Sequence, residues 1–349
     1  MGKDMVSRKL KLVVLAGVCA VLTAGAVAAS AQEGFFTKDD VIKYTPDWKG
    51  ERFADGRPKV PDEILDRMKN VTLEEAQATI AGSCFNHEYE DGWQLMIHPD
   101  QVLVGRALTA MWMPGRPDIQ KVIEQDQGKG RQGAMNAWPV DMLQPRDVYV
   151  ADHFGLKVDG PSIGDNVGNA IYARSGNGIV YDGAVRDING LEELKNFTSY
   201  VRYYDPSHHY GSLATGQKLN STMVSINGPV RIGHATVMPG DVVLGRNGGV
   251  IFIPAQLAER VVQQSERTRL RDDFGHQRLR EKKYTAGQID TGWTPEIEAD
   301  YRGWLKENEN KLTVPAAEIE RILAEASQPR PTGPPAAGGA GRRPNGCGI

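Results

Sequence analysis

Gly164-Asp165-Asn166-Val167 and Arg186-Asp187 are the residues of this chain whose types and spacing could do chemistry. Gly164-Asp165 opens a run that reads as a helix ending at Ala173-Arg174. The amides from Gly164 to Val167 would then point out of a helix N-terminus, a natural seat for an anion. Arg186 offers a planar fork suited to a carboxylate or an enolate. Asp187 is a hard oxygen ligand suited to a divalent cation. Singly, each has an ordinary explanation: a turn glycine, a helix-capping Asp, a surface ion pair. Jointly, an anion seat, a guanidinium and a metal ligand are what a small oxo-acid needs.

These residues have to be held by the elements around them. Val148 to Asp152 and Gly178 to Tyr181 are short β-branched runs that read as buried strands. Asp182 to Asp187 contains Gly183 and reads as a turn that presents the Arg-Asp pair. A short helix follows over Ile188 to Asn196, then a strand over Thr198 to Tyr203. Asp205 to Gly211 is a loop carrying His208 and His209. Adjacent histidines point in different directions, so this pair is not read as a chelate. Cys84, His87, Glu88, Glu90, Asp91 and His98 crowd another stretch, but without His-x-x-x-His or Cys-x-x-Cys spacing it reads as a solvated loop.

Elsewhere the pattern is regular. Thr72 and Glu75 have capping-box spacing and open a helix to about Ala81. Gln101 to Met113 alternates as a strand. Ile119 to about Asn136 reads as a loop with helical pieces. Met223 to Pro254 reads as five short strands separated by Gly228-Pro229, Pro239-Gly240 and Asn247-Gly248-Gly249 turns. Long helices follow over Ala255 to about Arg280, from Thr294-Pro295 to about Lys306, and over Ala316 to Ala326.

Composition narrows the class. A 40% hydrophobic and 24% charged content over 349 residues suits a globular chain of one large or two modest domains. A formal net charge of -3 gives no electrostatic reason to expect nucleic acid as a partner. Lys3, Arg8, Lys9 and Lys11, the apolar run Leu12 to Ala29, and Ala29-Ser30-Ala31 read as a cleaved secretory signal. The expected location is therefore periplasmic or secreted, with the membrane involved only through that signal. Three cysteines are too few for a disulfide framework, and Cys84 and Cys347 are expected to be unpaired in the mature chain.

The ordered motifs carry a resemblance. Gly164 to Val167, Gly178 to Asp187, Pro239-Gly240-Asp241-Val242-Val243 and Gly249-Val250-Ile251-Phe252-Ile253-Pro254 resemble the RraA-like family over roughly Val71 to Val262. That family includes 4-hydroxy-4-methyl-2-oxoglutarate aldolases, oxaloacetate decarboxylases and RraA regulators of RNase E. Phe274 to Leu279, Tyr284 to Asp290 and Trp293 to Ile297 resemble a secreted branch of it. The resemblance implies an α/β fold, a β/β/α swivelling-domain core with an added N-terminal arm and C-terminal helices. The divisions would be a signal peptide over 1–31, the arm over 32–70, the RraA-like domain over 71–266, a helical extension over 267–328 and a disordered tail over 329–349. It implies a homotrimer or hexamer with sites near subunit interfaces.

The resemblance also implies roles. Gly164, Asp165, Asn166 and Val167 would hold the carboxylate of an oxo-acid substrate. Arg186 would contact the substrate and steady an enolate. Asp187 would hold Mg²⁺ or Mn²⁺, and Asp165 would order a water and relay a proton. Glu266 is a candidate for the acidic residue that a neighbouring subunit adds to some aldolase sites. Family members often read Gly-Asp-x-Asp-Gly-Val before the last strand. This chain has Gly245-Arg246-Asn247-Gly248-Gly249-Val250, which reads as a surface turn. The implied activity is that of a metal-dependent lyase, with a non-catalytic regulator or small-acid binding protein as the alternative.

Overall fold

The computed structural model describes residues 35–155, 157, 160–209 and 219–325. The signal and tail segments expected over 1–31 and 329–349 lie outside them. In chain order the helices are α1 (Lys38–Tyr44), α2 (Asp62–Met68), α3 (Leu73–Ala81), α4 (Pro117–Asp126), α5 (Asp165–Ser175), α6 (Ile188–Glu192), α7 (Ala258–Arg280), α8 (Ala286–Ile289), α9 (Pro295–Asn308) and α10 (Ala316–Glu325). The strands are β1 (Tyr89–Glu90), β2 (Leu95–Ile97), β3 (Leu103–Pro114), β4 (Asp147–Asp152), β5 (Ile179–Val185), β6 (Ser199–Tyr204), β7 (Ser221–Ile226), β8 (Val230–Ile232), β9 (Ala235–Val237), β10 (Val242–Arg246) and β11 (Gly249–Ile253).

Among the described residues one mixed sheet runs β1-β11-β10-β3-β4-β5-β6-β2, with β7 also pairing β3. Its centre, β3-β4-β5-β6, is parallel. The flanking strands are antiparallel. Side chains alternate across the sheet with the period of two that a strand imposes. On β4, Tyr149 and Ala151 join a core with Trp112, Ile171 of α5 and Leu191 of α6, while Val148 and Val150 point the other way onto the β8–β9 hairpin. Near β10 and β11, Val242, Leu244, Ile251 and Ile253 pack against α2, α3 and the first half of α7. Leu270 and Phe274, further along α7, belong instead to a separate cluster with α9 and α10.

Parallel strands present all their C-terminal ends at one edge, and in open α/β sheets ligands bind in the crevice beyond that edge. Here the edge collects His153 after β4, Arg186-Asp187 after β5 and Asp205 to His209 after β6.

Several local expectations change. Gly183 does not make a turn: β5 continues through Asp182 to Val185. The glycine serves close packing instead, since a Cβ there would meet His153 Cβ at 2.8 Å. The stretch before Arg57 contains a capped helix, α1, in which Thr37 and Asp40 form a capping box. The crowded stretch read as a solvated loop holds β1 and β2, and Glu88 and Glu90 in it are buried. Cys84 is disulfide-bonded, against the expectation of a free thiol.

Candidate functional site

Gly164, Arg186 and Asp187 meet because two strand-to-helix junctions are tied together. The Arg186 amide donates to the Ile163 carbonyl at 3.0 Å, and Ile163 bridges Val185 in parallel. Behind them α5 and α6 pack closely: a Cβ on Gly168 would run into the Leu191 side chain, and one on Gly190 would meet Asp165 Cβ at 2.7 Å. Small residues at both positions let the two helix starts converge.

Asp187 has a φ of 56°, a left-handed conformation that Asp tolerates better than most residues. Its carboxylate turns back over Gly164. A Cβ at Gly164 would lie 2.5 Å from Asp187 Oδ2 and 3.1 Å from Arg186 Nε. Only a glycine therefore leaves the space in which both side chains lie. Arg186 Nη1 and Asp187 Oδ2 form an ion pair of 3.0 Å, with the side chains 27% and 36% exposed. The pair is thus reachable from solvent, just beyond the end of β5.

The helix start differs in detail from the expected seat. Gly164 offers no capping side chain to α5, so its first-turn amides are not closed by the residue before them. The Asn166 amide, however, donates to Asp165 Oδ1 at 2.8 Å. Of the four residues Gly164 to Val167, Gly164 is buried, Asp165 and Val167 are half-buried and Asn166 is exposed. Among the described residues no three His, Cys, Asp or Glu side chains are grouped as a metal site. A cation at Asp187 would take its remaining ligands from water and substrate, as Mg²⁺ commonly does.

Glu266 has a different occupation. It is 3% exposed and accepts two hydrogen bonds from Arg67 of the same chain, at 2.9 and 2.6 Å. This bidentate pair commits Glu266 within its own chain, which removes it as a residue offered to a neighbour.

Other chemistry-bearing residues gather at the same edge. His153 is fully buried, its Nε2 3.1 Å from Ser221 Oγ. Burial pulls its pKa down to about 3. His209 lies in the loop after β6 with its Nδ1 3.4 Å from the Gly160 carbonyl, whereas His208 is exposed. Ser162 and Tyr181 share a short hydroxyl contact nearby. On the other face of the strand ends, Arg202 binds Asp182 at 3.0 Å and also Glu90. His153 went unnoticed in the sequence because it carries no motif. Its position after β4 matches that of Arg186 after β5, a signal that appears once the strands are known to be parallel.

Comparison with known proteins places this architecture. Residues 72–252, just over half of the chain, match the family model described as RraA-like: Aldolase/RraA. A protein of Halalkalibacterium halodurans named "Putative 4-hydroxy-4-methyl-2-oxoglutarate aldolase" is 31% identical over 96 residues. That match spans 28% of this chain and 41% of the relative. The crystal structure of Streptomyces coelicolor RraAS2, described as an unusual member of the RNase ES inhibitor RraA protein family, superposes with a TM-score of 0.52 at 21% identity, over 63% of this chain and all of that one. An uncharacterised Pseudomonas syringae pv. tomato protein gives 0.50 at 18% identity, over 69% and 97%. These two likenesses support the fold. By the extent of the family match, the chain belongs to the RraA-like family.

Proposed function

We propose that this chain is a divalent-metal-dependent lyase of the aldolase or decarboxylase type, acting on a 2-oxo acid or 4-hydroxy-2-oxo acid through a pyruvate-type enolate. The observation that carries the reading is the convergence of Arg186 and Asp187 over Gly164 at the C-terminal edge of the parallel strands. Gly164 and the first turn of α5 seat the substrate carboxylate. Arg186 points its fork at the oxygen on which charge develops as the C–C bond breaks. Asp165 orders the water that returns a proton to the enolate carbon. Asp187 is the residue that would hold Mg²⁺ or Mn²⁺, and the cation, when bound, would polarise the 2-oxo group. The partner is a small-molecule oxo-acid rather than nucleic acid. The reading extends to an exported protein, cleaved after Ala31, that assembles as a homotrimer or hexamer.

A second reading, a non-catalytic regulator or small-acid binding protein, is favoured by the Arg186–Asp187 pair itself. At 3.0 Å the carboxylate is engaged by its neighbour rather than held open for a cation. One experiment separates the two. A panel of 2-oxo and 4-hydroxy-2-oxo acids is incubated with the protein, with and without Mg²⁺ or Mn²⁺, and pyruvate release is followed. The lyase reading expects metal-dependent release that Asp187→Asn abolishes, because the substitution keeps the shape and removes the charge. Arg186→Lys should keep metal binding but lose on the order of a hundredfold in rate, the usual effect of removing one preorganised donor. No release from any substrate, or an Asp187→Asn variant that turns over like wild type, moves the binding reading ahead.

A further inference from the structure

Two imidazoles, His153 buried and His209 half-buried, lie at this strand edge, and the lyase reading gives neither a role. Both pack edge-on against Trp112, His153 with ring centroids 5.3 Å apart and His209 with 5.7 Å. The two imidazoles lie 6.5 Å from each other. Phe154 and Tyr181 stack on His153, so aromatic rings surround the pair. His153 has a partner in Ser221 through Nε2, while its Nδ1 is buried without one among the described residues. Among the described residues His209 has one through Nδ1, which meets the Gly160 carbonyl. A carbonyl oxygen can only accept, so that contact puts the hydrogen on Nδ1 and leaves a bare lone pair on Nε2. Nε2 of His209 is buried and has no hydrogen-bond partner among the described residues. Leaving a buried acceptor unpaired is unfavourable, which points to a donor that arrives with a ligand.

The histidine loop is fixed to the loop that leads into Gly164. A Cβ at Gly160 would lie 2.6 Å from the His208 carbonyl and 3.2 Å from His209 Cα, so the two loops are in direct contact. Asp205 fastens them to β5: its amide donates to the Val185 carbonyl at 3.1 Å, and its Oδ2 accepts from the Gly160 amide at 3.4 Å. Val185 immediately precedes Arg186. His209 and the oxo-acid seat are therefore built on one framework, and the charge of Arg186 is felt at His209.

We propose that His209 Nε2 is the acceptor for a substrate hydroxyl and, for a 4-hydroxy-2-oxo acid seated at Gly164 and Arg186, the base that removes the hydroxyl proton. This rests on the lyase reading above. Burial, reinforced by Arg186, lowers the His209 pKa to about 4, so the ring is neutral and ready to accept near neutral pH. In the step, the C4 hydroxyl gives its proton to Nε2, and its O–H electron pair forms the C4 carbonyl. The C3–C4 bond breaks, and its pair passes into the enolate whose oxygen Arg186 holds. The enolate carbon then takes a proton from the water at Asp165, and His209 returns its own proton to solvent. One proton is removed and one restored, with no oxidant or reductant needed.

A base for the hydroxyl matters only where there is a hydroxyl. His209→Gln keeps an acceptor in place but cannot carry the proton. Its kcat for cleaving a 4-hydroxy-2-oxo acid should fall on the order of a hundredfold or more, with KM little changed. Decarboxylation of oxaloacetate, which has no hydroxyl proton to remove, should stay within about threefold of wild type. Equal loss of both reactions, or loss of neither, overturns the assignment. A second measurement needs neither turnover nor the variant. Imidazole ¹⁵N NMR of the metal-free wild type at neutral pH should show His209 neutral with Nδ1 protonated, and a ring protonated at Nε2 overturns the assignment as well. If the wild type releases pyruvate from neither substrate, the lyase reading fails, a result visible before any variant is made.

Discussion

Gly164 sets what Arg186 and Asp187 can do, and it does so through space rather than backbone freedom. Its φ of -126° is open to any residue, so an added methyl strains nothing in the chain itself. The methyl would instead fall 2.5 Å from Asp187 Oδ2, the far end of a side chain that can move. Gly164→Ala should therefore leave stability within about 1 kcal/mol of wild type while displacing the Arg186–Asp187 pair. Thermal unfolding and titration with Mn²⁺ and a 2-oxo acid check this: unchanged melting with weakened ligand binding is expected. Unchanged binding would show that the pair does not line the ligand site. The residue types here were legible because Gly-Asp and Arg-Asp each have a definite chemistry. His209 was legible only in part. Alternation along an extended backbone says that one of two adjacent histidines turns inward, but not which, and not that a carbonyl from another loop fixes its tautomer.

The elements that were legible are those whose stabilisation is local. Thr72 and Glu75 exchange the expected reciprocal hydrogen bonds at the start of α3, and the Asn247-Gly248 turn closes the β10–β11 hairpin with both residues at positive φ. What stayed hidden is long-range pairing. The strand reading stopped at Tyr181 because Gly183 resembled a turn residue, whereas His153 from the neighbouring strand end takes up the space that its missing side chain leaves. The segment before α2 likewise read only as an N-terminal arm, yet it delivers Arg57 into the sheet. Arg57 is 0% exposed and pairs with Asp147 at the start of β4 at 2.9 Å and with Asp55 at 2.7 Å. Arg57 also lies over the Phe53 ring, 4.9 Å from its centroid, and Arg106 lies over the same ring at 5.2 Å. Removing one partner leaves a buried charge uncompensated, so Asp147→Ala should cost about 3–5 kcal/mol. Replacing Arg57 and Asp147 together with apolar residues should cost less than removing Asp147 alone, since the fully buried pair then leaves whole and only Asp55 and Arg106 each lose one of their partners. Urea unfolding of the two variants decides it; equal losses would mean that the contact is packing rather than charge.

At the scale of the whole molecule, the described residues hold a sheet core and a separate apolar cluster that share one helix. The first half of α7 gives Val261 and Val262 to the sheet core. Its second half gives Leu270 and Phe274 to the other cluster, with Ile297, Tyr301, Trp304 and Leu305 of α9 and Ile319 of α10. Phe274, Trp293, Tyr301 and Trp304 form a contiguous set of aromatic contacts there, and Arg271 lies 3.6 Å from the Trp293 ring centroid. This cluster lies beyond the residues of the family match, which end at 252. Two cores joined along one helix need not melt as a unit, because local regions open with free energies of their own. Trp304→Ala removes a large side chain that is 5% exposed, a change that typically costs about 3–5 kcal/mol. That loss should fall on the extension and spare the sheet. In urea, fluorescence from Trp293 should report an early transition in the variant, while far-ultraviolet circular dichroism follows a later one from the sheet. Binding of a 2-oxo acid at Arg186 should persist between the two. Coincident transitions by both probes, with binding lost at the same urea concentration, would show instead that the extension and the sheet core fold as one cooperative body.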